Sequence, residues 1–211
     1  MSKIYVFDLD GTLANSINSI RAGISKYLNK RGVEMTDELF KNIIPLGYPK
    51  TAEYFINVYN INEKPSDIVN ELYDNLTNEY AHNIFLKPYA KEYLLKLKNE
   101  GQRLFILSAS PHIFIDPCLK NNGIYECFEK LLSVDDIGYT KTTTILFEKV
   151  AHMLNVNPSD IVYFEDSYDA CVNAKKVGYV VYGVDDVQPK EWKEALKQAV
   201  DYYLTSYKDL I

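Results

Sequence analysis

Cysteine, histidine, basic charge and long apolar runs are all scarce in this chain, and each scarcity excludes something. The three cysteines, Cys118, Cys127 and Cys171, are odd in number and show no CxxC spacing among the 211 residues. Neither a disulfide framework nor a zinc site is indicated, and they read as small core hydrophobes. His82, His112 and His152 are scattered without ligand spacing and read as ordinary surface or packing residues. No apolar run approaches the ~20 residues that span a bilayer. The opening MSKIYVFDLD lacks the charged, apolar and small-residue order of a signal peptide, so a cytoplasmic protein with no membrane partner is expected. Lys and Arg number 23 against 29 Asp and Glu, for a net charge of -6 and a pI near 5.2. That balance argues against nucleic acid as the main partner, because phosphate backbones attract basic surfaces.

What the chain does have is 47% hydrophobic residues beside 25% charged ones, enough to bury a sizeable core. Short apolar runs, IYVF (4–7), LFIL (104–107), IVYF (161–164) and YVVYGV (179–184), with a shorter LLSV at 131–134, are separated by longer helical patterns. None alternates strictly with polar residues, as expected of strands covered on both faces. The predicted fold is therefore α/β, a three-layer, Rossmann-like parallel sheet. Ile145, Leu146, Val150, Met153 and Leu154 keep the spacing of one helical face. Tyr93, Leu94 and Leu97, and then Trp192, Ala195, Leu196 and Ala199, make further stripes. Residues 14–86 differ: helical patterns follow one another with no convincing strand, broken at LGYPK (46–50) and NEKPS (62–66). They read as an all-helical insertion after the first strand, leaving 1–13 and 87–211 as the core.

In open parallel sheets ligands bind beyond the carboxyl ends of the strands. The residues at those ends are unusually polar: Asp8 after the first run, Ser108 after the second, Glu165 and Asp166 after IVYF, and Lys141 before the helix leading into that strand. With Asp10, four carboxylates would crowd one crevice, and buried carboxylates repel unless a cation or proton joins them. Oxygen-only ligation points to Mg2+, which borrows substrate phosphate oxygens. Ser108 and Lys141 suit a phosphoryl group. Asp8 is then expected to attack phosphorus, with Asp10 as general acid and base.

FDLDGTL, the serine closing LFILS, the lysine of GYTKTTTILF and FEDS after IVYF, in that order, resemble the four motifs of the haloacid dehalogenase superfamily. The insertion resembles the helical cap of its phosphoglycolate phosphatase and β-phosphoglucomutase-like branch. The resemblance implies Asp8 as nucleophile, Asp10 as general acid/base, and Ser108 and Lys141 as phosphate holders. It further implies Mg2+ bound by Asp8, the backbone carbonyl of Asp10, Asp166 and Glu165, the last directly or through water. Backbone N–H groups near Leu9, Asp10 and Ala109 would also hold phosphate. A cap loop carrying Gly47 and Lys50 would reach toward substrate, with Arg21 a weaker candidate.

Three positions depart from the usual pattern: Asn15 stands where many relatives have Asp, Thr142 where they have Pro, and Ala170 where they have Gly. None removes a catalytic group. Asp169 receives no metal role and reads as a first-turn carboxylate favoured by the helix dipole. The expected function is a Mg2+-dependent phosphatase of a small phosphorylated metabolite, monomeric or a small homo-oligomer. A β-phosphoglucomutase-like phosphomutase and a non-catalytic binding protein on the same fold stay open as alternatives.

Overall fold

Ile4–Phe7 (β1) carries no charged side chain, and Ile4, Val6 and Phe7 are at most 2% exposed, so this strand can lie only between two covering layers. The computed structural model, which describes residues 3–43 and 46–211, puts it there. Five more strands join it: β2 (Arg103–Ser108), β3 (Lys130–Ser133), β4 (Ile161–Glu165), β5 (Val180–Val184) and β6 (Tyr202–Leu204). All pair in parallel, in the order β3-β2-β1-β4-β5-β6. The chain builds outward from β1 on one side, then returns to lay β4 against its other edge. The β1/β4 boundary is thus the switch point of the sheet, where a crevice opens.

Each face of the sheet is closed by different residues. On one, Ile4, Val6, Phe105, Leu107, Tyr163 and Val181 pack with Phe147 and Val150 of α8 (Thr144–Leu154), Cys171 and Ala174 of α9 (Tyr168–Val177), and Leu196 of α10 (Lys190–Ala199). On the other, Phe7, Phe164, Tyr182 and Tyr202 stack as a ladder across β1, β4, β5 and β6, with successive centroids 4.6 Å apart. Tyr93 of α5 (Ala90–Asn99) meets Phe7 edge-on at 6.4 Å. A large side chain removed from water in this way stabilises by about 1.5–3 kcal/mol. Cys118 of α6 (His112–Asn121), Cys127 and Cys171 are free and buried, in keeping with their small-hydrophobe character.

The described residues fall into two compact units, Met1–Asn15 with Phe85–Ile211, and Ser16–Ile84. Each junction lies two residues from the expected one. Ala14 pairs with Leu86 in an antiparallel bridge, and Asn15 N–H bonds the Phe85 carbonyl at 2.9 Å, which keeps these residues with the sheet. The second unit contains α1 (Ile17–Asn29), α2 (Asp37–Ile43), α3 (Tyr48–Tyr59) and α4 (Pro65–Asn78), with no strand among its described residues. Ile20, Ile24 and Leu28 of α1 and Ile68, Leu72 and Leu76 of α4 are buried, and Tyr27 stacks on Phe55 at 5.7 Å. At its rim the Arg31 guanidinium lies over Tyr27, 3.6 Å from the ring centre, and bonds both Glu63 and Glu71.

Two local readings change. The run LLSV ends as a strand at Ser133, because Ser133 and Asp136 form a reciprocal capping box that turns Val134 into the first residue of α7 (Val134–Ile137). β6 was not anticipated: its YYL is three residues long, follows α10 almost directly, and leaves Tyr202 54% exposed, so it lacks the signature of a buried strand.

Candidate active site

Phe7 and Phe164 are partners in the β1/β4 register, so the chain continues from them directly into Asp8 and Glu165, side by side at the carboxyl edge. Both are buried, as is the adjoining Asp166: Asp8 is 3% exposed, Glu165 2% and Asp166 8%. One carboxylate oxygen from each of the three lies within 4.8 Å of the others. Lys141, from the loop before α8, places its Nζ 2.5 Å from Asp8 Oδ1 and 2.8 Å from Glu165 Oε2. Glu165 is held further by the Tyr163 hydroxyl and by the Ser167 N–H at 3.0 Å. Asp166 accepts from two neutral donors, Thr12 Oγ1 at 3.3 Å and Gln188 Nε2 at 3.0 Å.

One ammonium among three buried acids leaves the cluster short of positive charge, and the proton affinities follow. Burial, with Glu165 next, pushes Asp8 up to about 8 even though Lys141 works to lower it. Burial and the charges of Glu165 and Asp8 hold Asp166 well above the carboxylate range. Burial alone would lower Lys141, but Asp8 and Glu165 more than offset it and keep the ammonium charged. An all-oxygen donor set of this density, poorly compensated by protein, is the chemistry of a hard divalent cation site. Asp8, Glu165 and Asp166 fit that role.

Beside this cluster runs a hydrogen-bonded line of hydroxyls. Ser110 Oγ donates to Asp10 Oδ2 at 2.6 Å, and Ser110 N–H donates to Ser108 Oγ at 3.0 Å. Ser133 Oγ donates to the Ser110 carbonyl at 2.9 Å, from the β3 position paired with Ser108. The buried Ser108 hydroxyl keeps its proton to donate while it accepts from Ser110. Ala109 lies between them. The expected residues Asp8, Lys141, Glu165 and Asp166 thus come together, with Asp10 and Ser108 fixed nearby at the ends of β1 and β2.

The family model for haloacid dehalogenase-like hydrolases matches residues 5–184. The chain belongs to that family. Among its relatives, validoxylamine A 7'-phosphate phosphatase of Streptomyces hygroscopicus subsp. limoneus is 24% identical over 199 residues, covering 90% of this chain and 89% of the relative. Phosphoglycolate phosphatase of Pseudomonas fluorescens is 24% identical over 184 residues, covering 84% and 67%. The crystal structure of CbbY from Rhodobacter sphaeroides in complex with phosphate shares the fold, with a TM-score of 0.86 at 19% identity over 100% of this chain and 96% of that one.

Other residues of this hydrolase lie differently from expectation. Lys50, expected in a loop, sits inside α3, where Pro49 sets the first turn and Gly47 precedes it at φ 73°. Both are exposed in the helical unit. Arg21 is engaged with Asp37 at 2.6 Å and lies over the Phe40 ring. His112, expected to be unremarkable, bonds Asp116 through Nδ1 at 3.1 Å and Asp136 through Nε2 at 2.8 Å. Asp169 is exposed in the first turn of α9. Sequence reasoning also missed Ser110, Tyr163 and the loop after β5. That loop begins Asp185-Asp186, so the strand-end rule that finds Asp8 would have found it. No helix among the described residues is long and apolar enough to cross a membrane.

Proposed function

We propose that this hydrolase is a Mg2+-dependent phosphatase that removes the phosphoryl group from a small phosphorylated metabolite by way of Asp8. The observation that carries the reading is the meeting of Asp8, Glu165, Asp166 and Lys141 within hydrogen-bond or ligand distance at the switch point of the sheet. The named relatives, both phosphatases, support it.

A cation held by Asp8, Glu165 and Asp166 would neutralise and orient the phosphoryl oxygens. The rest falls to the chain. Lys141, 2.5 Å from Asp8, favours the ionised carboxylate that a nucleophile needs and, with a second N–H on Glu165, leaves its third for a phosphoryl oxygen. An Asp8 oxygen bonds to phosphorus as the ester P–O bond breaks, and Asp10 gives its proton to the departing oxygen. Asp10, now a carboxylate, takes a proton from the water that attacks the same phosphorus. That step frees Asp8 and inorganic phosphate. Ser110 Oγ, 2.6 Å from Asp10 Oδ2, helps to hold that carboxyl group in place. Ser108, 0% exposed at the end of β2, supplies a hydroxyl donor to a phosphoryl oxygen.

A panel of small phosphate monoesters, assayed for inorganic phosphate with Mg2+ and with EDTA, tests this. Release should require Mg2+ and vanish in Asp8→Asn. Release that persists in EDTA or in Asp8→Asn contradicts the reading, as does the absence of release from every member of a broad panel.

A further inference from the structure

One buried oxygen near this cluster has no hydrogen-bond partner among the described residues. Asp186, in the loop after β5, has a side chain only 4% exposed. Its Oδ1 is paired with Lys87 Nζ at 3.2 Å, yet its Oδ2 is buried and unsatisfied. Lys87 also donates to the Asp185 carbonyl at 2.5 Å, which ties it to this loop. A carboxylate oxygen left this way is costly, and a buried orphan of this kind calls for an explanation.

Gly11 shows where the orphan points. A Cβ built on Gly11, whose φ is +79°, would lie 2.6 Å from Asp186 Oδ2 and 2.6 Å from Asp166 Oδ2. The two oxygens are therefore no further apart than twice that distance, with the bare glycine between them. Gln188 already donates to Asp166 Oδ2 at 3.0 Å, whereas Asp186 Oδ2 receives nothing. Two carboxylate oxygens facing one small space repel unless a donor or a cation enters it. Magnesium supplies donors as well as charge, because it keeps several of its waters, and their protons need acceptors.

We propose that Asp186 is a positioning residue of the cation centre. Its free Oδ2 accepts a hydrogen bond from water retained by a divalent cation on Asp8, Glu165 and Asp166, and so steadies that cation from outside its protein ligands. The inference rests on the reading that those three residues hold such a cation. Lys87 has a separate task, holding Asp186 Oδ1 so that Oδ2 faces Asp166. Partners of this outer kind typically change metal affinity by about 10- to 100-fold.

The test is a direct binding titration of the full chain with Mg2+ by calorimetry and with Mn2+ by electron paramagnetic resonance, using the unaltered protein, Asp186→Asn and Lys87→Met. Asp186→Asn should weaken both ions by about 10- to 100-fold without lowering the cation-free melting temperature, while Lys87→Met, which leaves the carboxylate in place, should weaken binding less. Wild-type affinity in Asp186→Asn overturns the inference. So does a loss in Lys87→Met equal to that in Asp186→Asn, or a matching fall in the cation-free melting temperature of Asp186→Asn, since either would make the pair a structural tie. If the unaltered chain binds neither ion, the cation reading itself fails and this inference with it.

Discussion

At the scale of single residues, Asp8 and Asp10 share a strand end but live in different surroundings. Asp8 is buried against Glu165 and Lys141, and Asp10 is held by the Ser110 hydroxyl. The roles proposed for them, nucleophile and proton carrier, need this separation of environments. Asp10→Asn keeps the shape and removes the proton, so kcat should fall roughly 100- to 10,000-fold with little change in KM. Ser110→Ala should lower kcat less than Asp10→Asn does, because the carboxyl group stays and only the contact that holds it is lost. A kcat unchanged in Asp10→Asn contradicts the assignment. Lys141 is the positive partner of two buried carboxylates, and leaving them without it is expensive. Lys141→Met should destabilise the cation-free protein by about 3–5 kcal/mol in urea unfolding, and a stability equal to wild type would show that the ion pair contributes nothing net.

The elements explain how those residues are held in place. The line from Asp10 through Ser110 to Ser133 ends at the capping box that opens α7, and the Asp136 carboxylate that completes the box also accepts from His112. The hydrogen bond that His112 donates to Asp136 raises His112 above its ordinary value of 6.5, against a smaller opposing effect of burial. A histidine raised in the folded state contributes stability that is fully present below 6.5 and is lost as pH climbs through the raised value. His112→Asn should therefore flatten the fall in stability across that window, and Asp136→Asn should move the His112 imidazole resonances to titrate at lower pH. Resonances that titrate identically in Asp136→Asn would contradict the pairing. The elements that were legible in the sequence are those that carry their own signature. β1, β2, β4 and β5 are apolar runs without alternation, and the succession of amphipathic patterns in 14–86 announces helices. β6 and the early end of β3 were not legible. A three-residue edge strand needs little hydrophobicity, and a serine inside an apolar run discloses its capping role only once Asp136 is near it.

For the whole molecule, the sheet order brings residues from four distant stretches to one edge, and this decides which parts of the site could be read beforehand. Asp8, Ser108, Lys141, Glu165 and Asp166 could be found because each follows a strand run or opens a helix, and the topology then delivers them together. Ser110, Tyr163 and Lys87 act through a partner that only the folded chain supplies, so no spacing in the sequence marks them. If the cluster holds a cation as proposed, the same convergence couples that binding to folding. At Mg2+ about 100-fold above its dissociation constant the folded state should gain about 2.7 kcal/mol. At about 2–4 °C per kcal/mol for a chain of this size, the melting temperature should rise by about 5–10 °C and fall again with EDTA. A melting temperature indifferent to both would mean that the acidic cluster is compensated by the protein alone.

The most direct test asks whether Asp8 carries the phosphoryl group. The full chain is mixed with a 32P-labelled substrate identified by the monoester panel, quenched in acid within milliseconds, and digested for peptide mapping. The account predicts one hydroxylamine-sensitive label per chain, on the peptide containing Asp8, in wild type and more abundantly in Asp10→Asn if breakdown is slowed more than formation. Label on any other residue, or full turnover with no trapped phosphoprotein at any quench time, would contradict it.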